Sequence, residues 1–64
     1  MFRIKELRKQ CGMTQLQLAQ KIGISREYLS AVENGHKYPS MALLIKISDI
    51  LDTSVRDLLE DKLA

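Results

Sequence analysis

Apolar residues recur along this chain at helical spacing, and a capping residue or a glycine punctuates each stretch. Ile4, Leu7 and Cys11 form the stripe of a first helix over about 2–11, which stops at Gly12. Thr14, with Gln17 three residues later, makes a capping-box pattern that opens a second helix. Its stripe is Leu18, Ala19 and Ile22, and Gly23 follows. Ser25 is a good N-cap for a third helix, which buries Leu29 and Val32 and ends at Asn34-Gly35. His36-Lys37-Tyr38-Pro39 reads as a loop. Ser40 caps a fourth helix carrying Leu43, Leu44, Ile47, Ile50 and Leu51, and Asp52-Thr53 breaks it. Ser54 with Asp57 is a further capping pair, opening a short last helix with Val55, Leu58, Leu59 and Leu63. No segment shows strand alternation. The pattern predicts an all-α fold of five short helices around one core, in a single domain over residues 1–64.

Size sharpens this picture. A chain of 64 residues sits near the lower limit for folding without a staple. Cys11 is its only cysteine, so no intrachain disulfide is possible. Cys11 and His36 are the only strong zinc ligands, too few for a structural site, and no metal or cofactor is expected. Dense apolar packing, helped by self-association, must therefore hold the fold. Cys11 at an apolar position reads as core filler. Phe2-Arg3-Ile4-Lys5 after Met1 lacks the apolar run of a signal peptide, and no stretch is long enough to cross a bilayer. The expectation is a soluble cytoplasmic protein with no membrane partner.

The charge is unevenly placed. Residues 1–46 carry eight basic and three acidic side chains, a balance of +5; residues 47–64 carry two basic and five acidic, a balance of −3. A basic front suits a polyanion and leaves the acidic tail to face elsewhere. Chance imbalance of this size is common in small proteins, so charge alone does not single out nucleic acid.

The stretch 14–39 carries the function. Two short helices joined by Gly23-Ile24 must cross steeply, with small Ala19 at the crossing and Ile24 beneath the turn. Thr14-Gln15, Leu18-Ala19, Gly23-Ile24-Ser25, Leu29-Ser30, Glu33, Gly35 and Pro39 resemble the Cro/cI-type (XRE-like) helix-turn-helix family. The helix before this stretch and the two after it complete that family's phage-repressor-like, five-helix domain, with the helix-turn-helix at about 14–34. Leu16 departs from the pattern, which usually has a polar residue there. It either packs under a neighbour or is exposed to a partner.

The resemblance implies that the third helix enters the DNA major groove with its N-terminal residues at base edges. The helical wheel agrees: with Leu29 and Val32 inward, Arg26, Glu27, Ser30 and Asn34 point outward. Arg26 can donate twice to guanine, Glu27 can accept from cytosine N4, Ser30 suits several bases, and the Ala31 methyl can touch thymine. Gln15 matches the family's phosphate-binding glutamine, and Ser25 lies at a helix N-terminus that favours phosphate. Asn34, His36 and Lys37 fall where the family grips the DNA backbone. Tyr28 fits two roles equally, a phosphate donor or a lid on the core. By the same resemblance, Arg8 and Glu33 pair, tying the first helix to the third and leaving Arg8 near a phosphate.

These features imply a sequence-specific regulator of transcription that binds double-stranded DNA, a homodimer on a palindromic operator. The alternative is a protein-interaction module of the same fold, such as an antitoxin whose main task is to bind a partner protein. No Ser-His-Asp set, paired-carboxylate cleft or phosphate-binding loop points to an enzyme. No effector domain points to a small-molecule ligand. The basic front must face DNA, which leaves the last helix for dimerisation. Leu59 and Leu63 are the main candidates; Val55 and Leu58 lie on the same side and either join them or cap the monomer core.

Overall fold

The computed structural model describes residues 3–59. These residues form α1 (Ile4–Gln10), α2 (Gln15–Ile22), α3 (Arg26–Glu33), α4 (Met41–Ile50) and α5 (Val55–Leu59), with no strand among them. Four of the five helix starts follow from a local hydrogen bond that the sequence announces. Thr14 Oγ1 accepts from the Gln17 N–H at 3.1 Å while Gln17 Oε1 accepts from the Thr14 N–H at 2.9 Å, a complete capping box. Ser25 Oγ accepts from the Tyr28 N–H at 3.0 Å, and Ser40 Oγ from the Leu43 N–H at 3.1 Å. Ser54 Oγ accepts from the Asp57 N–H at 3.0 Å, whereas the Asp57 carboxylate accepts from the Thr53 hydroxyl at 3.3 Å. The first helix differs: Arg3 precedes it without a side-chain cap.

The turn between α2 and α3 depends on backbone freedom. Gly23 has φ +92°, and its N–H and that of Ile24 both donate to the Ala19 carbonyl, at 2.8 and 3.0 Å. A Cβ on Gly23 would meet nothing within 4 Å, so conformation and not space selects glycine here. After α4, Asp52 takes φ +56°, and the Thr53 N–H closes on the Ser48 carbonyl at 2.9 Å.

All five helices contribute to one core of Ile4, Leu18, Ala19, Ile22, Leu29, Val32, Leu44, Ile47, Leu51 and Leu58. Fully burying one such leucine contributes about 1.5–3 kcal/mol, so this set is the main source of stability. Leu7, Met13, Ile24, Tyr28, Leu43, Ile50 and Val55 pack around it. The two ends of the described segment are joined where the Arg3 N–H donates to the Leu58 carbonyl at 2.8 Å.

One expectation is corrected, and one open choice is decided. Cys11 is exposed, not core filler. It lies just past α1, where its thiol faces the Leu51 carbonyl at 3.7 Å. The inward row of α1 runs from Ile4 to Arg8 instead, because Arg8 has a buried partner that holds it inside. Of the two places open to Leu58, it takes the monomer core, where it is fully buried. Phe2 and Leu63 lie outside the described residues.

Candidate nucleic-acid interface

Helix α3 is held from below by Leu29 and Val32, both fully buried, and this fixes which residues it turns outward. Arg26 and Glu27 are exposed on its first turn, and Ser30 and Ala31 are half-buried one turn later. Arg26 Nη2 lies 3.7 Å from Glu27 Oε2, a loose contact between exposed groups that costs little to break. Asn34, also exposed, donates through Nδ2 to Ser30 Oγ at 3.4 Å. Five side chains with donors, acceptors or a methyl group thus line one face.

The flanks of that face are built from helix ends. Ser25 is exposed at the start of α3; its oxygen caps the Tyr28 N–H and its own O–H is still free to rotate toward an anion. Tyr28 is half-buried and packs its ring against the core. Beyond α3, the N–H groups of His36 and Lys37 both donate to the Ala31 carbonyl, at 2.8 and 3.2 Å. That turn leaves the His36 and Lys37 side chains exposed beside the end of α3.

Beneath this surface lies a buried polar network. Arg8 Nε donates to Glu33 Oε2 at 2.8 Å and Arg8 Nη2 to Glu33 Oε1 at 3.2 Å, a two-pronged pair. Arg8 Nη1 donates to the Met13 carbonyl at 2.8 Å. Gln15 Nε2 donates to Glu33 Oε1 at 3.0 Å. The network joins α1, the loop after it, α2 and α3. Among the described residues, no buried side-chain nitrogen or oxygen lacks a partner.

The Arg8–Glu33 pair is therefore present, and it turns the Arg8 guanidinium inward. Arg8 is only 5% exposed and its donors face Glu33 and Met13, so it sets helix positions from inside. The Gln15–Glu33 bond was not foreseen. It spans 18 residues of sequence, and no local signal announces it. Lys46 is a second unforeseen contact: its Nζ donates to the Ile22 carbonyl at 3.4 Å, placing a cation at the C-terminal end of α2.

Leu16 is 50% exposed, so it does not pack away under a neighbour. Tyr38, Met41 and Ile45 are further exposed large apolar residues. On α5, Leu59 is 40% exposed while Val55 is half-buried against the core. No described helix is long and apolar enough to cross a membrane. No group of His, Cys, Asp and Glu among the described residues could hold a metal ion.

The Helix-turn-helix family matches residues 4–58 of the chain, a span that contains α1 to α4 and most of α5. The chain belongs to the Cro/cI-type helix-turn-helix family. It is 44% identical over 61 residues to the HTH-type transcriptional regulator SinR of Bacillus subtilis (strain 168), covering 94% of this chain and 55% of SinR. The chain thus spans about half the length of that relative. The crystal structure of SinR, the master regulator for biofilm formation, in complex with DNA aligns at a TM-score of 0.83 and 42% identity, covering 91% of this chain and 94% of that one. The restriction-modification controller protein C.AhdI from Aeromonas hydrophila aligns at a TM-score of 0.83 and 35% identity, covering 89% of this chain and 86% of that one. As a family member, the chain has its helix-turn-helix in α2 and α3.

Proposed function

We propose that this chain is a sequence-specific transcriptional regulator that binds double-stranded DNA as a homodimer on a palindromic operator. The observation that carries the reading is the two-sidedness of α3. Leu29 and Val32 are fully buried on one side, and Arg26, Glu27, Ser30 and Ala31 stand on the other. Similarity to a regulator with a DNA-bound structure supports it. In this reading Arg26 and Glu27 read base edges, with Ser30 and Ala31 behind them. Ser25, Asn34, His36, Lys37 and Gln15 hold phosphates. The function needs no cofactor and no catalytic step, and the 64 residues act as one DNA-binding domain.

Selection of bound sequences from a random duplex pool tests the reading directly. Arg26→Ala is expected to cost about 1–3 kcal/mol on the selected site and to relax the preference at one base pair. Lys37→Ala is expected to weaken binding to all duplexes alike and to lower the salt slope by about one unit. An unchanged selected sequence for Arg26→Ala, or a loss confined to the specific site for Lys37→Ala, reverses these assignments.

Assembly follows from the need for more contacts than one domain supplies. Two recognition helices must lie about one DNA turn, roughly 34 Å, apart. With Leu58 in the core, Leu59 is the described residue of α5 best placed for a self-complementary contact, with Leu63 as its expected companion. Light scattering at micromolar concentration is expected to report a dimer. Leu59→Glu with Leu63→Glu is expected to leave a helical monomer with much weaker operator binding. A double variant that still dimerises rules out this interface.

A further inference from the structure

We propose that Glu33 is a positioning residue for DNA binding: its buried carboxylate, balanced by Arg8, holds one N–H of the Gln15 amide so that the second N–H is presented to a DNA phosphate. The inference rests on the DNA-binding reading and deepens it by naming the group that orients a phosphate contact.

The Glu33 side chain is fully buried, and both its oxygens are taken by donors. Oε2 accepts from Arg8 at 2.8 Å, and Oε1 accepts from Arg8 at 3.2 Å and from Gln15 at 3.0 Å. An ionised carboxylate can only accept, so it dictates that the NH2 end of the Gln15 amide turns inward. One N–H is used there. The other, with the amide oxygen, meets no protein partner among the described residues. Gln15 is the first residue of α2 and is half-buried, so its inner side is anchored while its outer side lies at the rim of the helix.

Two physical consequences follow. A free glutamine loses rotamer freedom when it grips a ligand, whereas Gln15 is ordered before DNA arrives. Glu33 without a partner would also repel a phosphate placed just beyond Gln15; the Arg8 guanidinium cancels most of that field. Because Glu33 is the last residue of α3, the Gln15 contact is tied to the seat of the recognition helix itself.

The test is a substitution cycle on a duplex selected by the wild-type protein, with binding followed by fluorescence anisotropy. Gln15→Met keeps length and removes the N–H groups. Arg8→Met with Glu33→Met removes the anchor without leaving a buried charge. Gln15→Met is expected to weaken wild-type binding about five- to tenfold, and less than about twofold in the doubly substituted background. In the free protein, 15N relaxation of side-chain amides is expected to show Gln15 more ordered than the exposed Gln10 and Gln20, and to lose that order when the anchor is removed. Should the double variant fail to fold, Glu33→Asp takes its place with the same expectations, since it keeps a charge for Arg8 and withdraws the carboxylate by one methylene. Equal costs of Gln15→Met in both backgrounds, or a Gln15 amide as mobile as those of Gln10 and Gln20, overturn the proposal alone. If the wild-type protein selects no duplex, the DNA-binding reading falls and the proposal with it.

Discussion

Glu33→Ala is expected to destabilise the domain by about 3–5 kcal/mol, because it leaves the Arg8 guanidinium buried without its counter-charge. Arg8 is 5% exposed, and two of its three nitrogens donate to Glu33. Only the contact to the Met13 carbonyl survives the substitution. Gln15 loses its acceptor at the same time. Domains as small as this rarely hold more than about 3–5 kcal/mol of net stability, so the variant is expected to be largely unfolded at 25 °C. Urea titration followed by helical circular dichroism measures this. Arg8→Met with Glu33→Met is expected to stay close to wild type, since it removes the unpaired charge along with the pair. If the single and double variants unfold at the same urea concentration, the loss in Glu33→Ala does not come from the stranded arginine.

Leu29→Ala is the second large effect, expected at about 2–5 kcal/mol. Leu29 is fully buried on the inner side of α3, and truncation opens a cavity directly beneath that helix. The size of the loss depends on how far the neighbours collapse into that space, which explains the width of the range. In a domain of this size each kcal/mol moves the melting temperature by about 4–8 °C. Leu16→Ala is the internal comparison: the same chemistry at a half-exposed position of α2 is expected to stay within about 0.5 kcal/mol of wild type. Thermal unfolding of the two variants side by side checks both. Similar melting temperatures would contradict the inward seat of Leu29.

These effects divide along the line between local and long-range interactions. Thr14, Ser25, Ser40 and Ser54 each cap an N–H three residues ahead, and Gly23 supplies the positive φ of the helix-turn-helix. Such bonds lie within a few residues of chain, so sequence by itself determined where four of the five helices begin, the tight turn, and the outward row on α3. It also determined the family, since the matching residues are those the turn and the packing require.

What the sequence did not determine is which of two neighbouring candidates faces inward. Leu58 and Leu59 are both leucines, yet one is fully buried and the other 40% exposed. Arg8, not Cys11, extends the inward row of α1, because Glu33 waits 25 residues further on to receive it. Gln15 turns one side of its amide inward for the same carboxylate. A buried charge is tolerated only when partners from other helices converge on it, and only the tertiary structure decides that convergence.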